Sequence, residues 1–275
     1  MICNPISLSV AGSTINEDAI GFSDSFAFVI DGATGLNNNN IMHEDSDAKW
    51  FSSSLAKKLS ERLSNTSFSI STILNGIMIE LAEEWKGNPK DYPSASIAIF
   101  RENSNTLEYF GLADCDASVI LTSGKSISWE DSRVKQLDES VLASMVNYCM
   151  EHKCSMNEAH TACMNLLRKN RKLKNTEGGY WILDPSGIGI THARTANIPL
   201  KECSSLFLCS DGFSQLVGFG EYNSIHDLHI STQRNGIMNL KERLFELQEN
   251  DTSLIKLPRF KFRDDISAFI ADIEV

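Results

Sequence analysis

"FAFVIDGATG", residues 26–35, runs through five apolar residues into an aspartate and a glycine. A short apolar run closed by a turn pair reads as a buried strand. Its terminal carboxylate is expensive to bury unless something positive meets it, so Asp31 either caps a turn or faces a cation. The choice depends on whether other apolar strands end in the same way. "SLFLCSDG" at 205–212 does, with Asp211 in the equivalent place, and "FRDDISAFIAD" sets Asp264 and Asp265 immediately ahead of a last apolar strand. Asn16, Glu17 and Asp18 lie between the first two strand candidates, and Asp114 closes "YFGLA". Singly, each Asp-Gly is an ordinary turn pair. Jointly, they can be brought to one edge by adjacent strands.

The rest of the chain supplies such strands. Residues 6–12 and 24–31 read as strands, followed by the Asn-rich "GLNNNNIMHED", expected to border one rim. Ala48, Phe51, Leu55, Leu59 and Leu63 recur at helical spacing, and a second helix is predicted over 69–86, stopped by "GNPKDYP". Strands follow at 95–100, 106–113 and 117–122, with connectors short enough for antiparallel neighbours. Residues 137–174 read as helix in two pieces, "GYWIL" and "IGITHA" as strands, 232–248 as helix, and "ISAFIAD" as the final strand. This order does not alternate as a parallel sheet would. It predicts an α+β domain with antiparallel sheets and helices packed outside them, and with no composition break it reads as one domain over 1–275.

Composition narrows the function. At 42% apolar the chain can build a substantial core, and its formal net charge of -11 argues against gripping nucleic-acid phosphates. No run approaches the roughly 18 apolar residues of a membrane span, and the first residues do not resemble a signal peptide, so a cytoplasmic protein is expected. Seven scattered cysteines suit reduced thiols rather than a disulfide framework.

Unpaired carboxylates gathered at one edge repel one another and raise each other's pKa unless cations fill the space. Oxygen-only ligands without clustered His or Cys select Mg²⁺ or Mn²⁺. The glycine after Asp31 leaves a backbone carbonyl approachable as a further ligand. Two such ions can present a water as a nucleophile and draw charge from a phosphoryl group. The residues thus point to a carboxylate-lined dimetal hydrolase acting on phosphate esters, with turn formation as the alternative.

These motifs resemble the metal-dependent Ser/Thr protein phosphatases of the PPM type, also called protein phosphatase 2C-like, in a divergent bacterial style. "NEDA" at 16–19, "FVIDGATG", "PSASIAIF", "GLADCDASVIL", "LFLCSDGFSQLV" and "RDDISAFIAD" are similar to the family's elements in order and approximate spacing. The resemblance implies a four-layer α-β-β-α sandwich and hydrolysis of phosphoserine or phosphothreonine in a protein substrate, with two Mn²⁺ or Mg²⁺ ions and a third held weakly. It implies that Asp31 bridges both ions, Gly32 offers its carbonyl, Asp211 and Asp264 complete one metal's shell, and Glu17 and Asp18 hold the second through water. Asp114 would hold the weaker cation, and Asp265 would orient its neighbour. Partners beyond a phosphoprotein are not implied, neither nucleic acid nor membrane, and a monomer is favoured.

Three positions depart from the family. Ser13 stands where many members carry a phosphate-gripping arginine, Ala33 where many have a histidine, and Asp116 where Gly-Asp-Ser-Arg has its arginine. These departures keep two alternatives open: a catalytically weak phosphopeptide-binding protein on the same fold, or a phosphatase of small metabolites. Arg194 and Arg263 are candidate substitutes for the missing arginine. His192, His43, the basic run 168–174 and Cys209 read more simply as structural or surface residues.

Overall fold

The computed structural model describes residues 1–33 and 40–274. The expectation about the Asn-rich stretch therefore falls in part outside the described residues. The first strands are β1 (Ile2–Val10), β2 (Ala19–Phe22) and β3 (Phe26–Ala33), followed by helices α1 (Asp47–Arg62) and α2 (Ile70–Glu84). A meander of β4 (Ser94–Asn103), β5 (Thr106–Leu112), β6 (Asp116–Leu121) and β7 (Ser126–Trp129) leads to a helical hairpin, α3 (Ser132–His152) and α4 (Met156–Arg171). Then come β8 (Arg194–Pro199), β9 (Cys203–Cys209), α5 (Asp211–Gly218), α6 (Ile225–Asn235), α7 (Ile237–Glu249) and β10 (Ile266–Ile273).

The strands form two five-stranded sheets, ordered β1-β10-β9-β6-β7 and β2-β3-β4-β5-β8. Every strand pairing is antiparallel. Alternation explains why β3 reads as an unbroken apolar run. Phe26, Phe28 and Ile30 pack outward with α1 and α2, whereas Ala27 and Val29 pack inward against Leu206, Leu208 and Phe269 of the other sheet. Both faces are covered, so neither parity is polar. On the far side, Phe207, Ala268 and Ile270 meet α5, α6 and α7. The result is the expected four-layer α-β-β-α sandwich.

Helix ends follow local chemistry. Ser46 caps α1 by accepting from the Lys49 amide, and Ser69 caps α2 by accepting from that of Thr72. The α3–α4 hairpin turns through Lys153 in the left-handed conformation at φ 51° and restarts with a Ser155/Glu158 capping box.

Several sequence expectations are corrected. "GYWIL" forms isolated bridges rather than a strand, through Tyr180 to Lys174 and Leu183 to Ala95. Residues 188–192 form a 3-10 turn. The predicted 232–248 helix is two helices, broken where Gly236 takes φ 81°. β2 and β7 are additional strands of four residues each, too short and mixed to show a period.

Candidate metal centre

β3 and β4 pair so that Asp31 lies opposite Ser96. Asp31 shares the inward parity of Ala27 and Val29, so its carboxylate stands where the space between the sheets opens at their end. β9 is the middle strand of its sheet. It stops at Cys209, and Ser210 then starts α5 with Asp211 in the first turn. Asp31 and Asp211 come close together: burial and the charges of Asp211, Asp18 and Asp114 hold Asp31 far above the usual carboxylate range, and burial and the charges of Asp264, Asp114 and Asp18 do the same to Asp211.

The remaining acids join this pair. Asp18 is 3% exposed. Burial lifts it to about 7, with the nearby Ser210 and Ser267 hydroxyls pulling the other way and the charges of Asp265 and Asp264 adding repulsion. Asp114 accepts from the Ser96 hydroxyl, and burial raises it as well, although the charge of Arg171 pulls the other way. The charges of Asp18 and Asp114 act on both Asp31 and Asp211, and that of Asp264 on Asp211.

Backbone approach brings these loops together. A Cβ on Gly32 would sit 2.6 Å from the Glu17 carbonyl oxygen, and one on Gly212 would sit 2.0 Å from that of Asp265. The glycine after each aspartate is therefore a packing requirement, because only a bare backbone lets the neighbouring acidic segment so close. Asp265 ties the first segment to β10 by accepting from the amides of Gly12 at 2.8 Å and Glu17 at 2.7 Å. Glu17 accepts from the Ser46 hydroxyl at 2.5 Å. Asp264 accepts from Lys261 at 2.9 Å.

Asp31, Asp211, Asp18, Asp114, Asp264, Glu17 and Gly32 thus share one region of the fold. Among the described residues, no three or more His, Cys, Asp and Glu side chains form a ready-made metal-holding set: Asp31 and Asp211 face each other, and Asp264 is turned to a lysine. The donor chemistry nonetheless fits a hard divalent cation. It is all oxygen, and Asp18 Oδ2 is buried without a hydrogen-bond partner.

A cavity of about 590 Å³ opens beside this cluster, lined by Asp114, Asp211 and Asp264, with Ser132, Lys135 and Phe260 among the other lining residues. Asp116 also lines it, and burial pushes that carboxyl up to about 8 against the pull of the nearby Ser214 hydroxyl.

The two candidate arginines have other partners. Arg263 pairs with Glu249 at 2.5 Å and lies 4.1 Å over the Phe245 ring. Arg194 donates to the Ala113 carbonyl at 2.8 Å, beside the unusual φ of 63° at Ala113, and so supports the turn that presents Asp114. His192 stacks on Trp181 at 3.5 Å. Sequence reasoning missed Ser96, Ser210, Ser267 and Lys261. The small-residue run "SAS" at 94–96 was the available signal for the first of them.

The protein is thus an α-β-β-α sandwich of two antiparallel sheets with acidic strand ends at one edge. The protein phosphatase 2C family model matches residues 10–247, and the chain belongs to that family. Among solved structures, the serine/threonine phosphatase Stp1 from Staphylococcus aureus is 14% identical, with 100% of this chain and 96% of that one covered at a TM-score of 0.56. The Mycobacterium tuberculosis serine/threonine phosphatase PstP/Ppp is 16% identical, with 100% of both chains covered and a TM-score of 0.57. At these identities the likeness establishes the fold. No curated protein matches the chain in sequence.

Proposed function

We propose that the chain is a metal-dependent phosphoprotein phosphatase that hydrolyses phosphoserine and phosphothreonine esters. The observation that carries this reading is the gathering of acidic segments at the sandwich end, where Gly32 and Gly212 pack against the Glu17 and Asp265 carbonyls and Asp31 and Asp211 lie within the fields of Asp18 and Asp114. Such a gathering is unfavourable for an apoprotein and becomes favourable once divalent cations neutralise it. Asp31, the Gly32 carbonyl, Asp211 and Asp264 would hold Mn²⁺ or Mg²⁺, with Glu17 and Asp18 on the side of a second ion and Asp114 available to a third. Bound ions would acidify a water and neutralise phosphoryl oxygens.

The chain's own residues supply placement. Asp265 pins the segment bearing Glu17 and Asp18 to β10 through the two amide hydrogen bonds. The Ser96 hydroxyl fixes Asp114. In the net reaction the ester oxygen–phosphorus bond breaks, water oxygen bonds to phosphorus, and the departing alcohol takes a proton.

The experiment measures phosphate release from a phosphopeptide with Mn²⁺, with and without chelator, for the wild type and Asp211→Asn. Chelation is expected to abolish turnover, and the substitution to lower kcat/KM by at least about a hundredfold. Equal activity in all samples overturns the metal mechanism.

A second reading is favoured by Ser13, Ala33 and Asp116, which remove charged or proton-carrying groups: a phosphopeptide-binding protein with little catalysis. Calorimetry under saturating Mn²⁺ separates the two, since binding without turnover supports the second and steady turnover eliminates it. Competition between phosphopeptides and phosphorylated metabolites tests the small-molecule variant of the first.

A further inference from the structure

We infer that Lys261 is a substrate-recognition residue whose ammonium passes from Asp264 to a phosphoryl oxygen once a divalent cation takes over the Asp264 carboxylate. The inference rests on the proposed reading of the cluster as a metal site. A phosphate monoester is a dianion, and the cavity it must enter is lined by Asp114, Asp116, Asp138, Asp211 and Asp264. Positive charge from the protein would add there to that of the ions.

Among the described residues, four cationic side chains line the cavity: Lys135, Lys256, Arg259 and Lys261. Arg259 is committed elsewhere, to Asp251 and to the carbonyls of Gln248, Asp251, Leu257 and Phe262. Among the described residues, Lys261 is the one of the four that forms an ion pair with a carboxylate of the cluster, its Nζ 2.9 Å from Asp264 Oδ1. The charges of Asp265 and Glu17 act on it too.

Its backbone and head group differ in freedom. The segment carrying it is closed by the Asp251–Arg259 ion pair, in which both side chains are at most 4% exposed. The Lys261 side chain is 54% exposed. A backbone anchored two residues away and an exposed four-carbon stem let an ammonium exchange one anion for another nearby. Two cations cannot share the Asp264 oxygens without repelling each other, so metal binding favours release of the lysine toward the incoming phosphate.

The test compares wild type, Lys261→Met and Lys261→Arg, using p-nitrophenyl phosphate turnover and calorimetric titrations of Mn²⁺ and of inorganic phosphate on the Mn²⁺-loaded protein. Lys261→Met is expected to raise KM about tenfold with kcat within about twofold, and to weaken phosphate binding by a similar factor. Lys261→Arg is expected to restore most of both. Mn²⁺ affinity in the methionine variant is expected to be unchanged or to rise severalfold, because the competing ion pair is gone.

Unchanged KM and unchanged phosphate affinity in Lys261→Met overturn the inference. So does a loss that excess Mn²⁺ reverses together with weakened Mn²⁺ binding, which makes the lysine a support for Asp264 alone. If no variant, wild type included, turns over any ester, the catalytic reading fails separately. Phosphate affinity then decides: a tenfold loss in Lys261→Met sustains the role of the lysine, and equal affinity removes it.

Discussion

Asp31 and Asp211 each close an apolar run, and each sits where neighbouring carboxylates make its charge less comfortable. Burial and like charge raise both, so without cations the pair opposes folding rather than supporting it. Replacing one carboxylate by an amide removes the repulsion and leaves a donor for the other. Asp211→Asn is therefore expected to raise the melting temperature of the chelated protein, by roughly 2–4 °C for each kcal/mol relieved in a domain of this size. It is also expected to shrink the rise that Mn²⁺ produces in the wild type. Differential scanning fluorimetry with chelator and with Mn²⁺ reads both effects; a variant that melts lower than wild type in chelator refutes the repulsion argument. These aspartates were legible in the sequence because a charge at the end of an apolar run is conspicuous. Ser96, Ser210 and Lys261 were not, since hydroxyls and lysines abound on any surface and only distance in space distinguishes these.

Between the helices and the last strand, residues 250–263 form an irregular wall of the cavity that delivers Asp264 to the cluster. Its closure depends on one interior ion pair. Arg259 reaches Asp251 at 3.3 Å and also donates to the carbonyls of Gln248, Asp251, Leu257 and Phe262. Asp251 accepts in addition from the Leu257 amide at 2.9 Å and the Ser253 hydroxyl at 2.7 Å. Removing the arginine would strand a buried carboxylate and orphan several carbonyls. Arg259→Met is expected to destabilise the fold by about 3–5 kcal/mol. The double variant Asp251→Asn with Arg259→Met should lose less than the sum of the two single changes. Urea denaturation of the three variants checks this, and strict additivity contradicts the coupling. The sequence pattern was silent on this element because it has no period. The same silence hid β2 and β7, and it let "GYWIL" pass for a strand although Tyr180 and Ile182 pack in a small cluster with Ala113 and Val134. α5 was read as a turn because Ser-Asp-Gly suits a helix start as well as a turn, and only the apolar Phe213 and Leu216 beyond it, both fully buried, decide between them.

At the scale of the whole molecule, antiparallel sheets with helices outside them followed from the order of the periodic segments, and the four-layer stacking from the family resemblance. What periodicity could not show is how polar groups are settled inside those layers. His229 of α6 is fully buried, and its ring nitrogens lie 3.1 Å from the Ser205 hydroxyl and 3.2 Å from that of Ser118, joining α6 to β9 and β6. Burial, with a smaller contribution from His226, lowers its pKa from the ordinary 6.5 to about 3. The sign follows from proton counting. Between those values the unfolded chain binds a proton that the folded chain refuses, so folding stability falls as the pH drops below about 6.5, by up to about 1.4 kcal/mol per pH unit. The buried carboxylates run the opposite way, since their raised pKa values make the folded state the better proton binder. The contribution of His229 must therefore be read as a difference. Denaturant unfolding of wild type and His229→Gln between pH 7.5 and 4.5, roughly the span in which the proton uptake develops, should show the gap between them narrowing or reversing on acidification, because glutamine can occupy the two serine hydroxyls without ever taking a proton. A gap that stays constant across that range would mean the imidazole is protonated in the folded protein and that the layers carry an interior charge after all.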